Sequence, residues 1–210
     1  MPGNRPADRL RDGLSELTGE TPDETLCERL LAYHDLLIRW NRAYNLTAVK
    51  GSAEIVTRHL LDSLSVLPWL QGRRLLDAGT GAGLPGVPLA IARPDLKVIL
   101  LDSTGKKIRF LNEVRRALPL DNIEPVQARL EAFEPDPPVD EVISRAFASL
   151  DTFARAAQRF APVRLLAMKG RFPRDELDAL PPGARVERVE KLAVPGLQEQ
   201  RHLVIMSLNP

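Results

Sequence analysis

Apolar side chains recur at intervals of three and four through the first third of the chain, and that spacing predicts helices. Leu26, Leu30, Tyr33, Leu37 and Trp40 line one face of the longest. Leu10, Leu14 and Leu17 line a shorter helix over residues 7–17. Ile55, Val56, Leu60, Leu64 and Leu67 line a third, which Pro68 ends or kinks. Thr21-Pro22-Asp23-Glu24 reads as a helix start, with Thr21 as the cap, Pro22 in the first turn and Glu24 three residues after the cap. Ser52 reads as the cap of the third helix.

From Arg73 onward the pattern switches to short apolar runs separated by helical stretches. Strands are predicted over residues 74–77, 96–101, 123–128, 139–144 and 163–168, and helices over 86–92, 106–118 and 150–160. Two more strands, 184–194 and 202–208, follow with little helix between them. Strands alternating with helices imply an α/β fold with a mostly parallel sheet covered on both faces. The closing pair adds an antiparallel edge, for seven strands in all. The expected division is an N-terminal helical extension over residues 1–70, packed on a core domain over residues 71–210.

Composition narrows the function classes. With 210 residues and 44% hydrophobic positions the chain can bury a real core. Its one cysteine, Cys27, excludes an internal disulfide and a cysteine metal cluster. Cys27 falls on an apolar stripe and reads as an inert core residue, and no metal is expected. The net charge is +1, so bulk charge cannot drive nucleic-acid binding and a local patch would have to do it. The first 71 residues carry eight Lys/Arg against ten Asp/Glu, which suits a lid or packing element better than a basic arm. Arg5, Asp8, Arg9, Arg11 and Asp12 stand where a signal peptide would be apolar. No run approaches the roughly 20 apolar residues of a membrane span. A cytoplasmic monomer is the expectation.

The segment Asp77-Ala78-Gly79-Thr80-Gly81-Ala82-Gly83-Leu84-Pro85-Gly86 joins a predicted strand to a predicted helix. Glycines there admit positive φ and let a ligand lie on bare backbone. A dinucleotide loop, G-x-G-x-x-G, matches Gly81 to Gly86 but begins two residues too far from the strand, and Leu84 stands where a pattern begun at Gly79 needs its third glycine. Asp77-x-Gly79-x-Gly81-x-Gly83 fits in spacing and placement the loop that binds S-adenosylmethionine. That molecule has no phosphate, and its amino-acid part is cationic, which suits Asp77. Asp102 ends the second strand, where a carboxylate can accept from ribose hydroxyls, a role shared with dinucleotide enzymes.

Further segments accompany this loop in order: Trp40-Asn41-Arg42-Ala43-Tyr44-Asn45-Leu46-Thr47-Ala48, Arg58-His59-Leu60-Leu61-Asp62-Ser63-Leu64, Leu101-Asp102-Ser103 with Lys106-Lys107 and Phe110-Leu111, Ser144-Arg145-Ala146-Phe147-Ala148, and Met168-Lys169-Gly170. Together, over nearly the whole chain, they resemble the bacterial 16S ribosomal RNA guanine-N7 methyltransferases known as RsmG or GidB. The resemblance implies a Rossmann-like class I methyltransferase fold. It implies S-adenosyl-L-methionine as cofactor, with S-adenosyl-L-homocysteine as product, and 16S ribosomal RNA or the small ribosomal subunit as partner. It also implies cofactor contacts at the positions matching Gly79, Leu84, Leu130, Glu131 and Arg145.

Guanine N7 carries an in-plane lone pair at neutral pH, so no general base is required and no catalytic residue is assigned. Arg145 is expected near the methyl group, as a phosphate, carboxylate or structural contact, because a cation facing a base that gains positive charge would hinder transfer. Candidate RNA contacts are Asn45, Arg58, His59, Lys106, Lys107, Arg109 and Lys169, with Arg115 and Arg116 on the same helix as the 106–109 cluster. A solvated helix face explains that cluster equally well, and a half-buried structural histidine explains His59. Trp40 and Tyr44 suit a core better than a base-stacking platform. Three alternatives stay open: a methyltransferase of the same fold acting on a small molecule or protein, a dinucleotide oxidoreductase, and an RNA-binding protein on an inactive fold.

Overall fold

The computed structural model describes residues 5–145, 147, 149–161 and 163–209. Ala146 and Ala148 of the Ser144–Ala148 segment lie outside the described residues. The chain opens with α1 (Pro6–Thr18) and α2 (Glu24–Tyr44). The cap of α2 is Asp23, not Thr21: the Asp23 carboxylate accepts from Thr25 N–H at 3.2 Å, and a negative charge suits a helix N-terminus. Cys27 is fully buried, and burial pushes its thiol pKa up.

The third predicted helix is not regular. α3 (Ser52–Ile55) passes through a π-helical turn (Val56–Leu61) into α4 (Asp62–Leu64). Its cap position is Gly51 rather than Ser52, whose hydroxyl instead lies 3.1 Å from His34 Nε2. The widened turn leaves Val56, Thr57, His59, Leu60, Leu61, Asp62 and Ser63 buried, with Arg58 turned outward. A regular 3.6-residue period would have put some of these side chains in solvent.

The remaining elements follow as β1 (Arg74–Ala78), α5 (Gly86–Ala92), β2 (Lys97–Asp102), α6 (Gly105–Ala117), β3 (Ile123–Gln127), β4 (Glu141–Ser144), α7 (Leu150–Ala157), β5 (Val163–Lys169), α8 (Arg174–Leu177), β6 (Ala184–Lys191) and β7 (His202–Leu208). They build one seven-stranded sheet in the order β3-β2-β1-β4-β5-β7-β6. β1 to β5 are parallel; β7 runs antiparallel to β5, and β6 to β7. Strand alternation divides the core. Leu75, Val98 and Leu100 face α5, α6 and the N-terminal helices, and Leu76, Ile99 and Leu101 face α7. α2 lies against the first face, with the Tyr33 ring 6.4 Å and the Trp40 ring 5.6 Å from Phe110. Trp40 is thus a packing residue, and Tyr44, 40% exposed, stacks on its outer side.

The order of strand addition reverses between β1 and β4, with β2 and β3 on one side of β1 and β4 and β5 on the other. In open parallel sheets such a switch leaves a crevice outside the C-terminal strand ends. The glycine loop after β1 and the segment after β4 flank it.

Candidate active site

The glycine loop is held from both ends. Gly79 N–H and Thr80 N–H both donate to the Leu101 carbonyl, at 2.9 and 3.0 Å. Gly79, Gly81 and Gly83 take φ of 71°, 62° and 94°, a region that side chains other than glycine's enter at a cost. Gly83 is required by packing as well, since a Cβ there would stand 2.8 Å from Leu111 Cδ2. A Cβ on Gly81 would meet nothing nearer than Gly79 O at 3.9 Å, so the space above it is open to a ligand. Leu84 is buried.

Asp77 is wholly buried at the foot of the loop. Its Oδ2 accepts from Thr80 Oγ1 at 2.6 Å and from Gly86 N–H at 2.8 Å. Its Oδ1 is buried and has no partner among the described residues. Burial pushes the carboxyl pKa up to about 6, against the opposing pull of the Thr80 and Gly86 hydrogen bonds. A buried carboxylate with one oxygen unmatched suits a cationic ligand group, such as the ammonium of a methionine moiety.

Asp102 closes the other side. Its Oδ2 accepts from Gly81 N–H and from Lys107 Nζ, both at 3.0 Å, and its Oδ1 accepts from Thr104 N–H at 2.9 Å. Each carboxylate oxygen has two lone pairs, so Oδ1 keeps one for a ribose hydroxyl. Leu130 and Glu131 form a short 3-10 turn just after β3, with Leu130 buried against the α7 face and Glu131 exposed. All nine residues expected around a cofactor thus lie in or just after β1 to β4, at their C-terminal ends.

The helical extension also reaches the loop. The Tyr33 hydroxyl, buried in α2, donates to the Ala82 carbonyl at 2.7 Å. Spacing in the sequence marked Tyr33 only as core. Tyr33→Phe should strand a buried carbonyl at a cost of about 1–3 kcal/mol. A lowered melting temperature together with weaker cofactor binding is the expected result; a change in stability alone would show that Tyr33 does not set the loop.

Beside the loop, β4 and β5 end in a cavity of about 320 Å³. Its wall includes Arg58, His59, Asp62, Arg145, Lys169 and Arg201. β4 pairs with β1, and Ser144 Oγ donates to the Ala78 carbonyl at 2.7 Å, so the cavity and the glycine loop are neighbours. Arg145 Nη1 donates to Asp62 Oδ2 at 3.2 Å and to the Arg58 carbonyl at 3.3 Å. Asp62 and Arg201 were not singled out from the sequence, although Asp62 stands in the Arg58–Leu64 segment.

The expected RNA contacts divide. Arg58, His59 and Lys169 line the cavity. Arg58 is paired with Glu54 and Glu199, and Lys169 with Glu176 at 2.7 Å. His59 is an interior group: its Nδ1–H donates to the Arg58 carbonyl at 2.9 Å and its Nε2 accepts from Thr47 Oγ1 at 2.7 Å. Burial, with Arg145 nearby, pushes its pKa down to about 4, so it is neutral at pH 7. Lys107 is bound to Asp102, and Lys106 Nζ donates to the Tyr44 carbonyl at 3.0 Å. Asn45 ends α2 in the left-handed conformation at φ 49°. Arg109 and Arg115 are exposed on α6, and Arg116 pairs with Glu113 at 2.7 Å. The basic face of α6 is therefore partly spent within the protein, on Asp102 and on the end of α2.

Comparison with known proteins fits this geometry. Residues 26–204 match the family model described as rRNA small subunit methyltransferase G. A Pseudomonas syringae relative named ribosomal RNA small subunit methyltransferase G is 50% identical over 202 residues, covering 95% of each chain. A relative of the same name from Escherichia fergusonii is 48% identical, covering 98% of each. Among solved structures, a SAM-dependent methyltransferase from Aquifex aeolicus aligns with TM-score 0.54 at 22% identity, over 71% of this chain and 91% of that one. A putative O-methyltransferase from Klebsiella pneumoniae aligns with TM-score 0.57 at 14% identity, over 96% and 97%. These structural likenesses establish the Rossmann-like methyltransferase fold.

Proposed function

The chain belongs to the rRNA small subunit methyltransferase G family, and from that membership we propose that it transfers a methyl group from S-adenosylmethionine to N7 of a guanosine in 16S ribosomal RNA. The acceptor class rests on the family. The cofactor rests on one observation besides: the unmatched buried oxygen of Asp77 beneath a glycine loop whose central residue faces open space. A small molecule or protein as acceptor is not favoured by the relatives' names. Among the described residues no helix is long and apolar enough to cross a membrane.

S-adenosylmethionine would supply the methyl group and leave as S-adenosylhomocysteine. Asp77 would face its ammonium, the backbone of Gly79 to Gly83 would carry its chain, Asp102 would accept from its ribose, and Leu130 with Glu131 would border its adenine. Nothing in the cavity beyond β4 needs to remove a proton, because N7 already presents a lone pair. The residues there act by orientation and by excluding water. The narrow major groove of an RNA duplex keeps N7 out of reach, so the target is an unpaired or extruded base.

The test is to incubate the protein with small ribosomal subunits lacking the modification and with methyl-labelled cofactor, then to map the label. Label on guanine N7 of 16S RNA is expected. Label confined to protein or metabolites would move the assignment to the alternative acceptor, and nicotinamide binding without S-adenosylmethionine binding would reverse the cofactor.

A further inference from the structure

The cavity after β4 and β5 is built around a buried anion for which methyl transfer itself has no chemical use. Asp62, 1% exposed, accepts from Arg201 Nε at 3.0 Å on Oδ1 and from Arg145 Nη1 at 3.2 Å on Oδ2. Three distant pieces of chain meet there: the helical extension, the end of β4 and the approach to β7. Arg145 Nη1 also donates to the Arg58 carbonyl, and Arg201 Nη1 to the Gln200 carbonyl at 2.9 Å. A guanidinium has five N–H donors, so both keep donors for a further acceptor in the cavity they line.

Charge says what that acceptor is. Arg58 and Lys169, the other cations of the wall, have carboxylates of their own in Glu54, Glu199 and Glu176. The two glutamates on Arg58 and the one on Lys169 bring the wall as a whole to balance, while among the described residues Arg145 and Arg201 share Asp62 alone, so this pair by itself carries one positive charge more than its carboxylate. A guanine is neutral and does not need it; a phosphodiester carries one negative charge and matches guanidinium geometry.

We propose that Asp62 is a positioning residue for the acceptor: it fixes the guanidiniums of Arg145 and Arg201 as a pair that receives a phosphodiester beside the target guanosine. The proposal rests on the RNA acceptor argued above. The shared carboxylate offsets repulsion between two cations at one cavity and sets their orientation before RNA arrives.

Asp62→Asn keeps the shape and loses the charge. On small ribosomal subunits its kcat should fall at least tenfold. The loss of kcat should exceed any loss of affinity for S-adenosylmethionine, because Asp62 also holds Arg201, which is not among the residues expected at the cofactor. RNA binding should become more salt-dependent, with a slope steeper by about 0.7–0.9, because one more positive charge is left for phosphate. A loss caused by unfolding alone would leave that slope unchanged. Arg201→Met should lose kcat as well, and the double variant should be no worse than the poorer single variant. Should Asp62→Asn fail to fold, Arg201→Lys keeps the charge but not the fork, and should fold and still lose kcat. Wild-type kcat in Asp62→Asn or Arg201→Lys, an unchanged salt slope, or losses that multiply in the double variant would overturn the proposal. A wild-type protein that leaves ribosomal RNA unlabelled would instead overturn the acceptor assignment on which it rests.

Discussion

Gly81→Val should abolish S-adenosylmethionine binding in a protein that still folds. Gly81 sits at φ 62°, and a left-handed conformation costs a side-chain-bearing residue about 1–2 kcal/mol, with a β-branched one at the upper end. The new Cβ itself adds no clash within the protein, because the nearest atom to it is Gly79 O at 3.9 Å. The melting temperature should therefore fall by only about 2–8 °C. The valine methyl groups would fill the space above the loop, and affinity measured by calorimetry should drop at least a hundredfold. Gly86→Val makes the contrast. Its Cβ would strike the Leu100 side chain and stand 2.7 Å from Asp77 Oδ2, so it should destroy the fold and not merely the site. Wild-type affinity in Gly81→Val would place the cofactor elsewhere.

Asp77→Asn should separate stability from binding. In the folded protein the Asp77 carboxyl pKa is about 6, against 3.8 for the free group. Between those values the folded state holds a proton that the unfolded state has lost. Stability therefore falls as pH rises through roughly 4 to 6 and then levels off, at a cost of about 3 kcal/mol. Asparagine removes that slope. Its Oδ1 can still accept from Thr80 and Gly86, so at pH 7.5 the ligand-free variant should be as stable as the parent or more so. Its cofactor affinity should nonetheless fall at least tenfold, because the charge opposite the ammonium is gone. In the parent, affinity should rise with pH toward 6 and then flatten. Urea unfolding at pH 4.5 and 7.5, with calorimetry across the same range, reads both effects. An affinity in Asp77→Asn that equals the parent's would remove Asp77 from the cofactor site.

Taken together with Tyr33, these residues give the helical extension a part in the site. Tyr33 in α2 bonds the loop carbonyl of Ala82, and Asp62 in α4 bonds two arginines of the cavity after β4 and β5. The extension is integrated with the core that it covers: Leu10, Leu30 and Leu37 belong to the same apolar cluster as Leu89 and Phe110.

What was legible in the sequence is what local physics decides. The helix over residues 86–92 and the strand over 202–208 fall where periodicity placed them, because burial of one face is written in the spacing of apolar residues. The glycine loop was legible because three alternating glycines answer a backbone requirement inside ten residues. Acid groups at the ends of β1 and β2 follow from strand ends that the same spacing locates. The cap at Asp23 was missed because Thr21 and Asp23 both suit the position, and only the built backbone shows which oxygen reaches an amide. The π-helical turn was missed because one extra residue in a turn leaves the apolar pattern almost unchanged while rotating Asp62 inward. Lys107 reads from its charge as a candidate RNA contact, and its ion pair with Asp102 is a contact that spacing alone does not show. The union of Asp62 with Arg145 and Arg201 joins residues 83 and 139 positions apart. No local pattern encodes such a pair: an aspartate among helical leucines reads as a surface residue until the strand order β1-β4-β5-β7 brings both arginines to its side and the carboxylate is buried beneath them.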